Sequence, residues 1–357
     1  MSDKKALIAM SGGVDSSVAA ALMKEKGYDC LGVTMRLFHS EEQRLDPKSC
    51  CSVRDVDDAA RVALLLGIPY ETKDYSIDFN EKVIDKFIRT YRCGGTPNPC
   101  IDCNRYLKFE KLLEYALSRS CDVIVTGHYA KTEYDEESGR YLLKKAEDPA
   151  KDQSYVLYNL SQEQLKYCRF PLGELNKSEA RRIAAEYGFV NADKAESQDI
   201  CFVPDGDYAS FIEKQTGTVY PEGDFVDPEG KVLGRHKGVI HYTIGQRKGL
   251  GLPAEFPWYV TGIDVENNRV SLSHGEGLFK NSLTATDINL ISVARIEGEM
   301  RVKAKVRYRQ KEQDAIVTQP DENTLKVVFD EPQRAITKGQ AVVLYDGDRV
   351  VGGGTIA

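Results

Sequence analysis

The stretch KALIAMSGGVDSS, residues 5–17, decides the fold. Lys5 to Met10 is a short apolar run, Ser11-Gly12-Gly13 breaks it, and Val14 to Lys26 then carries Val, Ala, Leu and Met at helical spacing. The order predicts strand, glycine turn, helix. At such a junction the N–H groups of the first helical turn and the helix dipole converge on one point, which suits an anion. Two glycines permit close approach and unusual dihedrals, and Ser11, Ser16 and Ser17 add hydroxyls. The spacing is neither GxGxxG nor Walker A, since no GKS or GKT follows. An ordinary glycine turn with a serine cap is the bland alternative; a place at the first strand of an α/β pattern weakens it.

Working outward, Cys30 to Phe38 predicts a second strand, Val53 to Leu66 an amphipathic helix and Tyr70 to Tyr75 a third strand. Ile77 to Tyr91 and Leu107 to Ser118 read as helices, DVIVT (122–126) as a buried parallel strand, and Asn176 to Gly188 as a helix that Gly188 stops. Strands alternating with helices imply a doubly wound parallel α/β sheet. After about Pro204 the pattern changes to short alternating runs separated by Gly, Pro and Asp, which predicts all-β structure. WYVTGIDVENNRVSLS (258–273) is a hairpin signal with Asn267-Asn268 at its turn, and Gly277 to Ser282 marks a boundary before a final small barrel or sandwich. The expected domains are 1–203, a central β-rich module over 204–278 and a β-barrel over 279–357.

At 357 residues the chain is long enough for two or three cores. With 41% hydrophobic and 29% charged residues it has the balance of a soluble globular protein. No stretch approaches eighteen uncharged apolar residues, and the amino terminus leads into its first strand without a secretory cleavage site. A cytoplasmic protein, with no membrane partner, is expected. A net charge of -7 argues against a coat of positive potential, so nucleic-acid binding needs a local patch.

All nine cysteines lie between Cys30 and Cys201, which does not suit a disulfide framework spread through a secreted fold. Chemistry or metal is the better reading. Cys100-Ile101-Asp102-Cys103 follows GGTPNP (94–99), a sequence that predicts a turn, and Cys201 follows Ser197-Gln198-Asp199-Ile200. One CxxC is half of a zinc site; the adjacent Cys50-Cys51 do not supply the other half. Cys30, Cys121 and Cys168 sit among apolar residues and read as buried, inert thiols.

In RVKAKVRYRQK (301–311) every odd position is Arg or Lys, so a strand would place six cations on one face. That face meets either solvent or an anion such as RNA. Arg247 and Lys248 offer a second cationic turn.

SGGVDSS resembles the signature of the PP-loop ATP pyrophosphatases, in which the loop grips the pyrophosphate end of ATP. The whole chain resembles the tRNA-specific 2-thiouridylases, through AMSGGVDSS (9–17), TPNPCIDCN (96–104), TGHYA (126–130), KDQSY (151–155), ESQDICF (196–202), HYTIGQRKGLG (241–251) and GQAVVLYDGDRVVGGG (339–354). The resemblance implies ATP at Ala9, Met10, Ser11, Gly12, Gly13, Val14, Asp15, Ser16, Met35 and Gly127, with Asp15 organising Mg²⁺. It implies Cys103 as the first catalytic cysteine, Cys201 as the persulfide carrier, and a transient disulfide between them. It makes 1–203 the PP-loop ATP-binding catalytic domain and the central module, 204–278, a tRNA-binding domain, and it assigns tRNA contacts to Asn98, Pro99, Cys100, His128, Lys151, Asp152, Gln153, Arg307, Tyr308 and Gln340.

The implied reaction is 2-thiolation of the wobble uridine of the tRNAs for Lys, Glu and Gln. Sulfur would come from a persulfide-donating protein, such as a cysteine desulfurase or sulfur relay protein. The C2 carbonyl is a poor electrophile, so its oxygen must first become a leaving group, and a persulfide is more acidic and more nucleophilic than a thiol. Some relatives carry Asp at the position of Cys100, so the acid/base group is unassigned here. With three thiols at 100, 103 and 201, an iron–sulfur cluster stays open as an alternative carrier. So does a hydrogen-bonded, structural His128. A small-molecule PP-loop ligase and a sulfur-free RNA-binding module are the rival readings.

Overall fold

The computed structural model describes residues 4–38, 52–195, 200–203, 205–253 and 255–357. Cys50, Cys51 and Ser197 to Asp199 lie outside the described residues. The first four strands are β1 (Lys5–Ala9), β2 (Asp29–Arg36), β3 (Tyr70–Asp74) and β4 (Val123–Val125). After a hairpin of β5 (Lys131–Asp135) and β6 (Arg140–Lys144), the short β7 (Cys168–Arg169) completes a five-stranded sheet in the order β3-β2-β1-β4-β7. All its pairings are parallel.

Successive side chains of these strands enter different cores, as a period of two requires. Leu7, Val33 and Ile124 join one cluster with Phe87, Ile88 and Tyr91 of the helix Asp85–Arg92. Ala6, Ile8, Val123 and Val125 join the other, against the helices Val14–Glu25, Val53–Leu66 and Lys177–Glu186. Helices on both faces make the sheet doubly wound, as expected. The helix Val53–Leu66 starts at a reciprocal Ser52–Asp55 capping box and ends at Gly67 with φ 63°, signals that fix its bounds.

Two expectations fail here. The CIDC pair does not sit on a turn: Pro99 opens a helical rod that runs through Pro99–Asp102, a π-helical Cys103–Lys111 and Leu112–Ser118. Proline breaks a helix in its interior, but at the first position its missing N–H is an orphan anyway. Beyond Pro204 the chain is not all-β. The helix Tyr208–Thr216 intervenes, capped by Asp207 accepting from Ser210 N at 3.1 Å and stopped by Gly217 with φ 63°.

The central sheet contains β8 (Gly223–Val226), β9 (Val232–His236), β10 (Tyr259–Asp264) and β11 (Arg269–Ser273), in the order β10-β11-β8-β9. The predicted hairpin turn is present, with Asn268 at φ 51°. Six strands follow: β12 (Phe279–Leu290), β13 (Met300–Lys305), β14 (Gln313–Asp321), β15 (Thr324–Arg334), β16 (Ala341–Asp346) and β17 (Arg349–Ile356). They pair antiparallel, and β12 returns to β17 to close a barrel around Val302, Ala304, Val317, Val327 and Leu344. Closure leaves no edge among the six along that seam. The β5–β6 hairpin of the first domain extends the barrel sheet through Arg349 and Lys144, a junction with no local sequence signal. Among the described residues no helix is long and apolar enough to cross a membrane.

Candidate active site around the phosphate loop

The glycine turn sits at the carboxyl end of β1, where ligands of open parallel sheets bind. Gly12 has φ +73°, and a Cβ there would lie 2.2 Å from the Asp55 carbonyl oxygen, so only glycine fits. Ser16 and Ser17 hydroxyls each donate to Gly13 O at 3.0 Å, and Ser11 N donates to Ser16 Oγ at 3.1 Å. The hydroxyls thus shape the loop. Gly13 supplies no side-chain cap to the helix Val14–Glu25, which leaves its first turn suited to an external anion.

Several residues that hold this loop come from far along the chain. Lys177 Nζ contacts both Asp15 carboxylate oxygens, at 2.7 and 2.8 Å, and Tyr129 Oη donates to Asp15 Oδ1 at 2.8 Å. Asn191 Nδ2 donates to Gly12 O at 3.0 Å and to Ser17 Oγ at 2.9 Å. Lys194 Nζ reaches Gly12 O at 3.1 Å and Asp55 and Asp58, both at 2.6 Å. Sequence reading found none of these residues. Gly127 lies against the same turn: a Cβ on it would be 2.7 Å from Asp15 C and Ser16 N. Ala9 and Met10 lead into the loop, and Met35 is buried in the first core near the end of β2.

Cys103 and Cys201 are half-buried and Cys100 is exposed. Both Cys103 and Cys201 pack against the first core. Their neighbours meet on one helix, Asp85–Arg92: Lys86 Nζ binds Asp102 Oδ1 at 2.7 Å, and the Phe87 ring stands 5.0 Å from that of Phe202, edge to face. Asp102 is buried, and desolvation pushes its carboxyl above the usual range despite Lys86. Burial also raises the thiols expected to be inert, Cys30 to about 11, and Cys121 and Cys168 likewise upward. Such thiols stay protonated and unreactive.

The cationic stripe is not one strand face. β13 ends at Lys305, and the chain then turns toward β14. Arg301 pairs with Asp330, and Lys303 with Asp314 directly across the ladder at 3.1 Å. Lys305 is partly buried beside Tyr155 and Tyr308, and desolvation lowers its ammonium pKa. Arg307 turns inward, its guanidinium donating to Ile244 O, Ala335 O and Thr337 Oγ1. Six like charges on one face would repel, and acidic partners and burial relieve most of that repulsion.

Other expected tRNA contacts are linked to one another around the cysteine rod. Gln340 Nε2 donates to Thr96 O at 2.9 Å and Pro97 O at 3.2 Å, tying the barrel to the loop before Asn98, Pro99 and Cys100. Tyr308 Oη donates to Asp152 O at 3.1 Å. Gln153 accepts from Tyr129 N at 3.0 Å, and Lys151 lies half-buried beside this turn. His128 is buried between Phe109 and Phe170, with Nδ1 2.7 Å from Thr126 Oγ1.

A doubly wound sheet with an anion-cradling turn at its first strand, followed by two β modules, defines a nucleotide-binding enzyme of the PP-loop class. Residues 4–205 match the family described as tRNA methyl transferase HUP domain, 209–274 the tRNA methyl transferase PRC-barrel domain, and 280–356 the aminomethyltransferase beta-barrel domain. The relatives point to sulfur rather than methyl transfer. The tRNA-specific 2-thiouridylase MnmA of Clostridioides difficile (strain 630) is 51% identical over 99% of this chain and 98% of its own. That of Acetivibrio thermocellus is 51% identical over the full length of both. The MnmA 1 of Thermoanaerobacter sp. (strain X514) is 52% identical over 99% of this chain and 98% of its own. The chain belongs to the tRNA-specific 2-thiouridylase family, and it is a tRNA sulfurtransferase.

Proposed function

We propose that the chain replaces the C2 oxygen of the wobble uridine of the tRNAs for Lys, Glu and Gln with sulfur, using ATP, with sulfur carried as a persulfide on Cys201 and Cys103 as partner nucleophile. The observation that carries the reading is the meeting of Asp102 and Phe202, one residue from each cysteine, on Lys86 and Phe87 of a single helix. A disulfide needs its two Cα atoms within about 7 Å, and the shared helix keeps the two cysteine segments in one neighbourhood from which to close.

The loop fits a polyphosphate: Gly12 tolerates no side chain, and the helix above Gly13 has no side-chain cap. ATP supplies the AMP group that turns the uridine oxygen into a leaving group. Asp15 is the loop carboxylate that would hold Mg²⁺ together with substrate phosphates, and to do so it would have to exchange Lys177, which contacts both its oxygens here.

In the sulfur step the terminal persulfide sulfur of Cys201 bonds to C2 as the activated C2–O bond breaks. The Cys103 thiolate then attacks Cys201 Sγ, which leaves sulfur on C2 and forms the Cys103–Cys201 disulfide. A thiol reductant returns two electrons, and a persulfide-donating protein reloads Cys201. In a second order of events, Cys103 attacks first and releases hydrosulfide, which then attacks C2. Both orders need the reducing cytoplasm. A cluster on Cys100, Cys103 and Cys201 is the alternative carrier, and it would need a fourth ligand that the sequence does not make evident.

The test is incubation with ATP, a persulfide source and tRNA, followed by electrophoresis in a mercury-containing gel. Retarded tRNA is expected with the native protein. Cys201→Ser should lose thiolation while keeping ATP-dependent adenylation of tRNA, and full thiolation by Cys201→Ser would overturn the sulfur assignment.

A further inference from the structure

The sequence singled out Arg247-Lys248 as a cationic turn, and the reaction above gives it no task. In the structure that turn is bonded to β10: Gly245 N donates to Val260 O at 2.8 Å and Val260 N to Gln246 O at 3.0 Å. Arg247 and Lys248 project beside it, exposed. Immediately before Val260 lie Trp258 and Tyr259. The Trp258 ring stacks on His274 at 3.7 Å, and the His274 ring lies 6.3 Å from Phe256, edge to face. Phe256 is 62% exposed, so its ring, grouped with those of Trp258 and His274, is open to a ligand. From the barrel side, the Arg334 guanidinium covers Tyr259 at 5.1 Å.

Aromatic rings at a rim of three cations form the chemistry that receives nucleic acid: phosphates meet the cations, and a base stacks on the rings. We propose that this strip is a second docking site for the substrate tRNA, stacking an unpaired nucleotide other than the reacting uridine. The choice of tRNA over a protein partner rests on the family's tRNA chemistry and on continuity. Arg307, next to Tyr308 in the chain, donates to Ile244 O and Ala335 O, the residues that precede Gly245 and follow Arg334. β10 also reaches the turn at Gly94, five residues before the cysteine rod begins at Pro99. Its Ile263 lies against Gly94, where a Cβ would be 3.2 Å away, and Tyr259 is four residues back, about 13 Å along an extended strand. One nucleotide does not occupy both places, so the strip would register the RNA while another base reacts.

Trp258 is the chain's single tryptophan, so its emission reports on this strip alone. Titration of the full-length protein with unmodified tRNA should change that emission to saturation, whereas inorganic polyphosphate, which has no bases, should not. Phe256→Ala, at an exposed position that folding does not need, should weaken tRNA binding about tenfold, and Phe256→Tyr should restore it. Silent emission under saturating tRNA, an equal response to polyphosphate, or unchanged affinity of Phe256→Ala would each overturn the proposal. The mercury gel separates it from the sulfur reading. Thiolation with silent emission defeats the strip alone, and an emission response without thiolation defeats the sulfur chemistry alone.

Discussion

Lys177 closes on both carboxylate oxygens of Asp15, at 2.7 and 2.8 Å, across the mouth of the phosphate loop. The pair joins the first turn of one helix to the first residue of another, 162 positions away. Asp15 faces the positive end of its helix, where an acid is favoured, yet an incoming polyphosphate meets that same acid as a repelling charge. Lys177 offsets the repulsion and places an ammonium within reach of the anion. Lys177→Met should therefore raise the KM for ATP by about tenfold or more, the scale of a charge-assisted hydrogen bond, while Lys177→Arg keeps part of the affinity. Pyrophosphate release at varied ATP, with tRNA saturating, reads the effect.

Gly127 makes a sharper demand. A Cβ at this position would stand 2.7 Å from backbone atoms of Asp15 and Ser16, and no flexible side chain is there to yield. Gly127→Ala should push the loop off its seat. The expected cost is about 1–3 kcal/mol of stability, as for other overpacked sites, with adenylation lost more completely than stability. Thermal unfolding and pyrophosphate release, measured on the same preparation, separate the two. Normal ATP use by Gly127→Ala would show that the loop tolerates displacement.

The parallel sheet and its loop were legible because local signals agree along KALIAMSGGVDSS: apolar run, glycines, helical period. The helix Val53–Leu66 was legible to the residue, since its cap and its stop are both written in the chain. What stayed hidden depends on tertiary context. Tyr129, Lys177, Asn191 and Lys194 reach the loop across more than a hundred residues, and no spacing rule marks them. The stripe at 301–311 misled because period two describes a strand only while the strand lasts, and this one stops at Lys305. Pro99 misled because its effect on a helix reverses between the interior and the first turn.

His128 gives the protein a pH-sensitive core. It is buried, and desolvation, aided by nearby Lys108, holds its imidazole well below the ordinary 6.5. An unfolded chain takes up this proton near the ordinary value, while the folded chain resists it. Stability is thus full above about pH 6.5 and falls as pH drops below it, by up to about 1.4 kcal/mol per pH unit until the folded group also protonates. His236, lowered chiefly by desolvation as well, adds a share of the same sign. Urea midpoints at about pH 7.5 and about pH 5.5 should differ less for His128→Gln than for the native chain. An unchanged difference would mean that the imidazole protonates in place.

Cys103→Ser distinguishes the two orders of sulfur transfer, because they leave different species behind. If the Cys201 persulfide attacks C2 first, the product of that step is a tRNA joined to the protein through Cys201–S–S–C2, and only the Cys103 thiolate can cleave it from within. Serine cannot, since its hydroxyl is neither ionised at neutral pH nor a partner for a disulfide sulfur. The substituted protein should then trap a tRNA adduct that survives denaturation, needs ATP to form and disappears with dithiothreitol. If hydrosulfide is released first, Cys103→Ser stops before C2 is touched and no adduct forms. A non-reducing denaturing gel with labelled tRNA should show the shifted band, and its absence, with Cys201 still loaded with sulfur, would establish the hydrosulfide order.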